Sequence, residues 1–320
     1  MNTKPILIIA GEPFGIFSEI FFKTLKKYKN KNPIILIGSL KLFISQMKYL
    51  GYKHNFNLLF LKNFNLNDLK RNKINIFDVD FNFIKPFCEI SDSSNNYIKK
   101  SFDLALSFIK KNKISGLING PISKKNFLKG KYLGITEYLA KKTGAKNFAM
   151  LIYNQDLSVS PVTTHLPVRE IHKHLNVNKL LMQIDLIKKF YKKTIKKDCS
   201  IGITGLNPHC ESNYKNSEEK NIIIPAIKIA KKKYNKIYGP MSADSLFMIN
   251  NRNKFNVVIG MYHDQVLGPI KSIYNFKAIN ITLGLPFIRI SPDHGPNSAM
   301  QGKNKSDPSS LIEAIKFLDK

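Results

Sequence analysis

The stretches GMYHDQVLGPIK (260–271) and NITLGLPFIRISPDHGPNSAMQGKNKSDPSS (280–310) decide the fold, because they place charged and imidazole side chains beside apolar runs. The run VVIGMY ends before His263, and AINITL ends before Gly284. Both runs are short, rich in β-branched residues and bounded by glycine or proline, which is typical of buried strands. Polar groups at the mouths of such strands carry the chemistry of many α/β proteins. The sequence therefore predicts a functional site in this part of the chain.

The rest of the chain repeats a pattern of strand, glycine turn and helix. PILIIA (5–10) leads through a Gly/Pro turn into an amphipathic helix, and PIILIGS (33–39) does the same. Helices are also predicted over 93–111 and from 177 to about 197, whereas 52–90 has too weak a periodicity to assign. This alternation predicts an α/β fold with α/β/α layers. Because single cores stop growing at roughly 250 to 300 residues, a chain of 320 residues favours two lobes around a central cleft.

Charge and composition exclude several classes. The formal net charge is +29, but the excess is lysine spread along the whole length, and only four residues are arginine. A nucleic-acid-binding protein would more often cluster arginine, so we expect attraction of small anions instead and no nucleic-acid partner. No apolar run approaches the roughly 20 residues that cross a bilayer. The cysteines, Cys88, Cys199 and Cys210, are scattered and odd in number, so the expected location is the cytoplasm.

Three histidines follow strand-like runs: His165 in VTTHLP, His209 in GLNPHC and His263 in MYHDQ. Imidazoles from separate strand ends can converge on one divalent ion, and three protein ligands with an open position are usual at a catalytic metal. Each alone is more often a satisfied loop or core histidine, and the shared context favours the metal. Asp264 adjoins His263 and is interpreted as its orienting or proton-accepting partner, whereas Asp244 fits this role and a helix N-cap equally well.

Lys271, Asn280 and Arg289 lie among apolar stretches, where an unpaired charge would be costly to bury. Arg289 is the most informative of them, because its guanidinium suits carboxylate or phosphate capture. The alternative is a cation exposed at a strand end. The loop HGPNSAMQGK (294–303) precedes the last helical region, and glycine-bracketed loops allow backbone amides to approach phosphate or adenosine.

Taken together, the motifs VTTHLP, GLNPH, GP-x-x-AD-x-LF, MYHDQ, LGLPFIR-x-SPDHG and DPSSL occur in an order that resembles the 4-hydroxythreonine-4-phosphate dehydrogenase family of vitamin B6 biosynthesis, nearly from end to end. The resemblance implies a fold similar to isocitrate and isopropylmalate dehydrogenases and a homodimer with shared active sites. Its lobes would be residues 1–130 with 265–320 for the cofactor, and 131–264 for metal, substrate and dimerisation.

The resemblance also implies roles for residues, which are listed here by role. Expected metal ligands are His165, His209 and His263, one of them from the partner subunit, for zinc, cobalt or magnesium. Expected substrate contacts are Thr136, Lys271, Asn280 and Arg289, with Asp264 or Lys271 as the base. Expected contacts of NAD or NADP are Gly11, His294, Gly295 and Gly302.

The implied reaction is a metal-assisted, NAD(P)-dependent oxidation of 4-phosphohydroxy-L-threonine to a 3-oxo acid. This acid would then decarboxylate to 3-amino-2-oxopropyl phosphate. The chain departs from the family pattern, since Ile135 stands where histidine is usual, Glu12 where aspartate is usual, and Ala299 where aspartate is expected. Two alternatives therefore remain: a dehydrogenase of a related acid such as a threonate or erythronate 4-phosphate, and a relative that binds metal or ligand without turnover.

Overall fold

The computed structural model describes residues 4–210, 215–275, 277–293 and 295–319. The chain divides into two compact units: unit 1 is Met1–Leu139 with Phe287–Lys320, and unit 2 is Ala140–Pro286. The predicted α/β class is confirmed by the alternation of helices and strands in both units. Compared with the predicted lobes, residues 131–139 join unit 1 and residues 265–286 join unit 2. The second shift has a direct cause, because the strand at 279–283 pairs with a strand at 149–153 in unit 2.

Unit 1 is built on a parallel sheet. Its strands are β1 (Ile6–Ile9), β2 (Ile34–Gly38), β3 (Phe56–Leu59), β4 (Ile74–Asp78), β5 (Gly116–Asn119) and β12 (Arg289–Ser291), in the spatial order β3-β4-β2-β1-β5-β12. Each neighbouring pair is parallel. Every residue of β1 and β2 is buried, which is expected of central strands covered on both faces. The carboxyl ends of β1, β5 and β12 therefore lie along one edge of this sheet.

The helices of unit 1 are α1 (Phe17–Lys27), α2 (Leu40–Tyr49), α3 (Asn95–Lys111), α4 (Lys124–Leu128), α5 (Ile135–Thr143, which continues into unit 2) and α11 (Ser309–Leu318). Short 3-10 turns span Leu66–Asp68, Asp92–Ser94 and Ser298–Met300. Aromatic rings of α1 and α2 pack against each other, with Phe17 and Phe21 stacked at 5.8 Å and Phe43 edge-on to both. Burial of these rings fixes α1 against α2.

Unit 2 carries a mixed sheet. Its strands are β6 (Ala149–Tyr153), β7 (Ser158–Thr163), β8 (Ile201–Thr204), β9 (Ile237–Met241), β10 (Val257–Tyr262) and β11 (Ile279–Leu283), in the order β11-β6-β7-β10-β8-β9. β6 is antiparallel to both β11 and β7, whereas β7, β10, β8 and β9 run parallel. The segments that follow β7, β10 and β8 therefore leave the sheet at the same edge.

The helices of unit 2 are α6 (Val177–Phe190), α7 (Ile224–Lys233), α8 (Ala243–Leu246), α9 (Ile249–Arg252) and α10 (His263–Tyr274). Turns of π-helix at Tyr191–Ile195 and Glu219–Ile223 extend α6 and precede α7, and 3-10 turns span Val168–Glu170, His172–His174 and Pro208–Cys210. Among the described residues, no helix combines the length and the apolar character needed to cross a bilayer.

Candidate active site

Two of the predicted imidazoles lie side by side at the carboxyl edge of the unit 2 sheet. β7 and β10 pair in parallel with Thr163 opposite Tyr262, so His165 and His263 emerge next to each other. Their ring centroids are 5.7 Å apart, with the planes tilted by 38°. Asp264 Oδ1 lies 2.6 Å from His263 Nδ1 and accepts a hydrogen bond from it, so Nε2 is the ring nitrogen left for a metal. This is the orientation that carboxylate partners impose on metal-binding histidines.

The backbone of the third predicted imidazole is unusual. His209 has φ 57° and the following Cys210 has φ 59°, two consecutive left-handed residues that are not glycine. Such positions cost about 1–3 kcal/mol each and persist only where the surroundings enforce them. Asp244 lies near this imidazole: hydrogen bonds from the Ser242 hydroxyl and the Ser245 N–H lower its pKa, and the charge of His209 lowers it further.

Within the described residues, no group of three histidine, cysteine, aspartate or glutamate side chains is close enough to hold a metal ion. What these residues bring together in one chain is the pair His165 and His263. The exposed fraction of the His263 side chain is 36%, and His165 and His209 are exposed as well.

Two polar residues that the sequence did not single out hold the turn of His209. Glu219 is 1% exposed, and its Oε1 accepts the N–H groups of Leu206 and Asn207 at 2.8 Å each. Its Oε2 accepts the Asn207 side-chain amide at 2.9 Å and the Ser217 hydroxyl at 2.8 Å. Burial alone would raise the pKa of Glu219, but these donors outweigh it and lower the pKa below its usual value.

The second of these residues, Gln265, joins the two strand ends that precede His209 and His263. Its Oε1 accepts the Thr204 hydroxyl at 2.8 Å and the Met261 N–H at 2.7 Å, and its Nε2 donates to the Gly205 carbonyl at 2.8 Å. The MYHDQ motif contained this glutamine, but nothing in it indicated the partners. Gln265 therefore fixes β8 against β10 at the edge where the imidazoles emerge.

In unit 1, the predicted anion-binding arginine lies in β12. Arg289 is 3% exposed; its Nε donates to Asn119 Oδ1 at 2.7 Å and its Nη1 to Thr136 Oγ1 at 3.3 Å. Burial lowers its pKa to about 10, against the opposing charge of Glu137, so the guanidinium stays charged at neutral pH. Asn119 was not predicted, although it ends the strand-like run ISGLIN. The structure thus brings Arg289 and Thr136 together and aims the guanidinium with two neutral oxygens.

The other predicted residues are placed as follows. In unit 2, Lys271 lies exposed on α10, and Asn280 lies on β11 opposite Ile152 with its Oδ1 buried. In unit 1, Gly11 has φ 81°, and a Cβ there would lie 2.4 Å from the Pro121 carbonyl oxygen, so close packing alone requires glycine. Gly295 is exposed with open space around it, and Gly302 has φ 69°. His294 lies outside the described residues.

These features define the class: an α/β protein with a buried guanidinium in the parallel sheet of unit 1 and paired imidazoles at an edge of the mixed sheet of unit 2. Residues 29–318 match the family model described as pyridoxal phosphate biosynthetic protein PdxA. The chain belongs to this family, as the sequence predicted.

Individual relatives agree. The chain is 37% identical, over 98% of its length and 96% of the relative, to a 4-hydroxythreonine-4-phosphate dehydrogenase of Sulfurihydrogenibium sp.. It is 30% identical, over 99% of its length and 98% of the relative, to a D-threonate 4-phosphate dehydrogenase of Salmonella typhimurium. Among solved structures, a 4-hydroxythreonine-4-phosphate dehydrogenase from Klebsiella pneumoniae superposes with a TM-score of 0.85 at 25% identity, covering 99% of this chain and 98% of the other.

Proposed function

We propose that this chain is an NAD(P)-dependent dehydrogenase of 4-phosphohydroxy-L-threonine, whose 3-oxo product decarboxylates to 3-amino-2-oxopropyl phosphate. The observation that carries the proposal is the buried Arg289, aimed by Asn119 and Thr136 in a chain that belongs to the family. The planar guanidinium of arginine suits bidentate capture of a carboxylate or a phosphate. A substrate that carries phosphate and carboxylate supplies two such anions.

The imidazole pair fits a divalent cation. His165 and His263 lie at neighbouring strand ends, and the hydrogen bond of His263 Nδ1 with Asp264 leaves Nε2 as the ring nitrogen that would bind the ion. When bound, a divalent ion would lower the pKa of the substrate hydroxyl, and a nicotinamide ring would accept the hydride. Zinc, cobalt and magnesium are all compatible with the proposal, although imidazole ligands suit zinc and cobalt better.

The chain's own residues would do the rest. Arg289 would hold an anionic group of the substrate and thereby fix the reacting carbon. Lys271 and Asn280 are proposed as further substrate contacts. Asp264 already accepts a hydrogen bond from His263, so we assign it the orienting role and propose Lys271 as the group that takes the hydroxyl proton.

The third imidazole would come from a second copy of the chain. Since His165 and His263 form the pair within one chain, we propose His209 as the ligand supplied across a homodimer interface. Large apolar side chains near these residues in the sequence are exposed. Val168, three positions after His165, is 78% exposed, and Met248 and Ile249, shortly after Asp244, are 63% and 59% exposed. Exposed apolar groups around exposed metal ligands are expected where a partner subunit covers them.

Subunit mixing tests this arrangement. His209→Ala and His263→Ala homodimers should each be inactive, because every site lacks one ligand. Unfolding and refolding an equal mixture should restore roughly a quarter of the wild-type activity, since half of the dimers are mixed and one of their two sites is complete. A mixture that stays inactive although mixed dimers form would place His209 in the same chain as His263 and overturn the shared site.

A second substrate is favoured by one residue. Ile135 stands beside Thr136, is 7% exposed and offers no polar atom where the family usually has histidine. A pocket without that imidazole suits a phosphorylated acid lacking the amine, such as D-threonate 4-phosphate. Steady-state reduction of NAD and of NADP with each substrate decides between them. Turnover of neither substrate with either cofactor and any of the three metals would refute the dehydrogenase proposal and favour a ligand-binding relative.

A further inference from the structure

A buried ion pair on α1 binds the main chain of a distant segment. Glu19 is fully buried, and its Oε2 accepts the Asn304 N–H at 3.1 Å while its Oε1 accepts the Ser306 N–H. Lys23 lies one helical turn later, and its Nζ donates to Glu19 Oε1 at 2.9 Å. The same ammonium donates to the carbonyl oxygens of Asn304 at 2.8 Å and Ser306 at 2.9 Å.

This ion pair binds the backbone N–H and the backbone carbonyl of both Asn304 and Ser306. The carboxylate takes the two N–H groups and the ammonium takes the two carbonyls, so the segment is fixed in position and in orientation. An ammonium has three donors, and all three of Lys23 have an acceptor. A buried ion pair repays its desolvation only when its remaining hydrogen-bonding capacity is satisfied in this way. We call Glu19 and Lys23 the α1 clamp.

The segment that the clamp binds is the loop 295–306, which has little regular structure of its own. Asn297 (φ 46°), Gly302 (φ 69°) and Asn304 (φ 53°) are left-handed, and the regular structure within it is a single 3-10 turn at Ser298–Met300. The loop is tied to the start of α1 at two further points. Ile16 N–H donates to the Pro296 carbonyl at 3.2 Å, and the Gln301 side-chain amide donates to the carbonyl of Phe14. Gln301 also donates to the Cys88 carbonyl at 2.7 Å, and the Tyr52 hydroxyl donates to Asn304 Oδ1 at 3.0 Å. The α1 clamp is therefore the charged part of a wider set of bonds that fix the loop.

We propose that Glu19 and Lys23 are positioning residues for the dinucleotide cofactor. They hold the loop 295–306 in the conformation that receives the adenosine half of NAD(P), without touching the cofactor themselves. This inference rests on the proposed function in assigning that loop to the cofactor. The α1 clamp explains how the loop 295–306 keeps its shape. A preformed loop binds the cofactor without first losing conformational entropy, so weakening the clamp should raise the KM for the cofactor selectively.

Steady-state kinetics of Glu19→Gln and Lys23→Met test the proposal. Loss of a hydrogen bond to a charged group should raise the KM for the cofactor by about 10- to 100-fold in each variant. The KM for the phosphorylated substrate and kcat should change by less than about 3-fold, because the anion and imidazole residues are untouched. The double variant should cost less than the product of the single effects, since both residues bind the same two amino acids. Lys27→Met, an exposed change on the same helix, is the matched control and should behave as wild type.

Hydrogen exchange on the cofactor-free variants provides the independent readout. The Asn304 and Ser306 amides should lose protection in Glu19→Gln, while amides of β1 and β2 stay protected. Should Glu19→Gln fail to fold, Lys23→Met carries the test, because its side chain is 18% exposed and closer to solvent.

The outcomes separate the two proposals. Unchanged cofactor KM in folded variants of an active enzyme overturns the positioning role, and unchanged exchange at 304 and 306 overturns the clamp whatever the kinetics show. Equal rises in both KM values would mean a general loosening of unit 1 and would also overturn it. A wild-type enzyme that reduces neither NAD nor NADP refutes the proposed function, and the positioning role falls with it.

Discussion

The turn that presents His209 depends on one buried carboxylate, and Glu219→Gln tests this dependence. The glutamine keeps one oxygen for the Leu206 and Asn207 N–H groups, but its NH₂ faces the Asn207 side-chain amide, which is also a donor. One charge-assisted hydrogen bond is lost, and the bonds that remain fall from roughly 1.5–3 kcal/mol each toward the neutral range of about 0.5–1.5 kcal/mol. We expect a loss of about 2–4 kcal/mol in the free energy of unfolding.

The assay is thermal unfolding across a pH series. A domain of this size loses about 2–4 °C of Tm per kcal/mol, so Glu219→Gln should unfold about 4–16 °C below wild type at neutral pH. The folded pKa of Glu219 lies below its unfolded value of 4.5, so its contribution is complete above that value and is lost as the pH falls through the folded pKa. The difference between the two proteins should therefore shrink in acid.

The matched control is Glu218→Gln, the next residue along the chain. Glu218 is partly exposed, and its Oε2 accepts a hydrogen bond from the Asn207 side-chain amide at 3.0 Å, so this change should cost less than about 1 kcal/mol. Divalent-ion affinity, measured by calorimetry, should fall in Glu219→Gln and not in Glu218→Gln, because the strained φ of His209 relaxes only in the first. Equal Tm values for Glu219→Gln and wild type at neutral pH, or a difference that persists unchanged in acid, would refute the reasoning.

Two further predictions concern buried charges of unit 1. Arg289→Lys should raise the substrate KM by about 100-fold, because one ammonium cannot serve Asn119, Thr136 and a substrate anion in the directions of the guanidinium fork; an unchanged KM would exclude Arg289 from the substrate site. Burial raises the pKa of Glu12 above its unfolded value of 4.5. The wild type should therefore lose stability as the pH rises from about 5 toward the folded pKa, whereas Glu12→Gln should not. Superimposable plots of Tm against pH for the two proteins would contradict this.

The sequence predicted the edge of unit 2 that carries the imidazoles for a physical reason. β7, β8 and β10 are buried and β-branched, so their limits could be read from composition, and polar residues after neighbouring parallel strands meet at one edge. Arg289 was equally visible as a rare arginine in an apolar run. β3 and β4 were missed in the unassigned 52–90 region, since β3 is a partly exposed edge strand without alternation and both lie among asparagine and lysine. The helical region predicted from 177 to about 197 extends to Ile195, with an α-helix to Phe190 and a π turn from Tyr191 onward.

The supporting polar residues escaped prediction because their partners are remote in sequence. Glu19 meets Ser306 across 287 positions, and Gln265 meets Thr204 across 61. No local pattern contains both ends of such a bond. The sequence does contain one indication. Glu19 interrupts the largely apolar run FSEIFF, and a carboxylate is costly to bury there unless its hydrogen bonds are satisfied. A buried acidic residue on an apolar helix face thus predicts that a hydrogen-bond donor contacts it, but it does not indicate which residue supplies that donor.

Buried carboxylates in this strongly basic chain share one structural task. Glu19, Glu219 and Asp319 each accept two backbone N–H groups from a segment outside their own helix turn, and Asp319 does so for Lys31 and Asn32. Each therefore converts an irregular segment into a fixed one without adding to the hydrophobic core.

Glu12 is the exception, because neither of its carboxylate oxygens has a hydrogen-bond partner of ordinary geometry in the described part of the chain. Burial raises the pKa of Glu12 more than the nearby Ser94 hydroxyl and Ser123 N–H lower it, so replacement by glutamine should stabilise the fold at neutral pH. The net charge of +29, by contrast, comes from lysines spread along the chain and favours attraction of anions, while buried acids hold the turn of His209 and the loop 295–306.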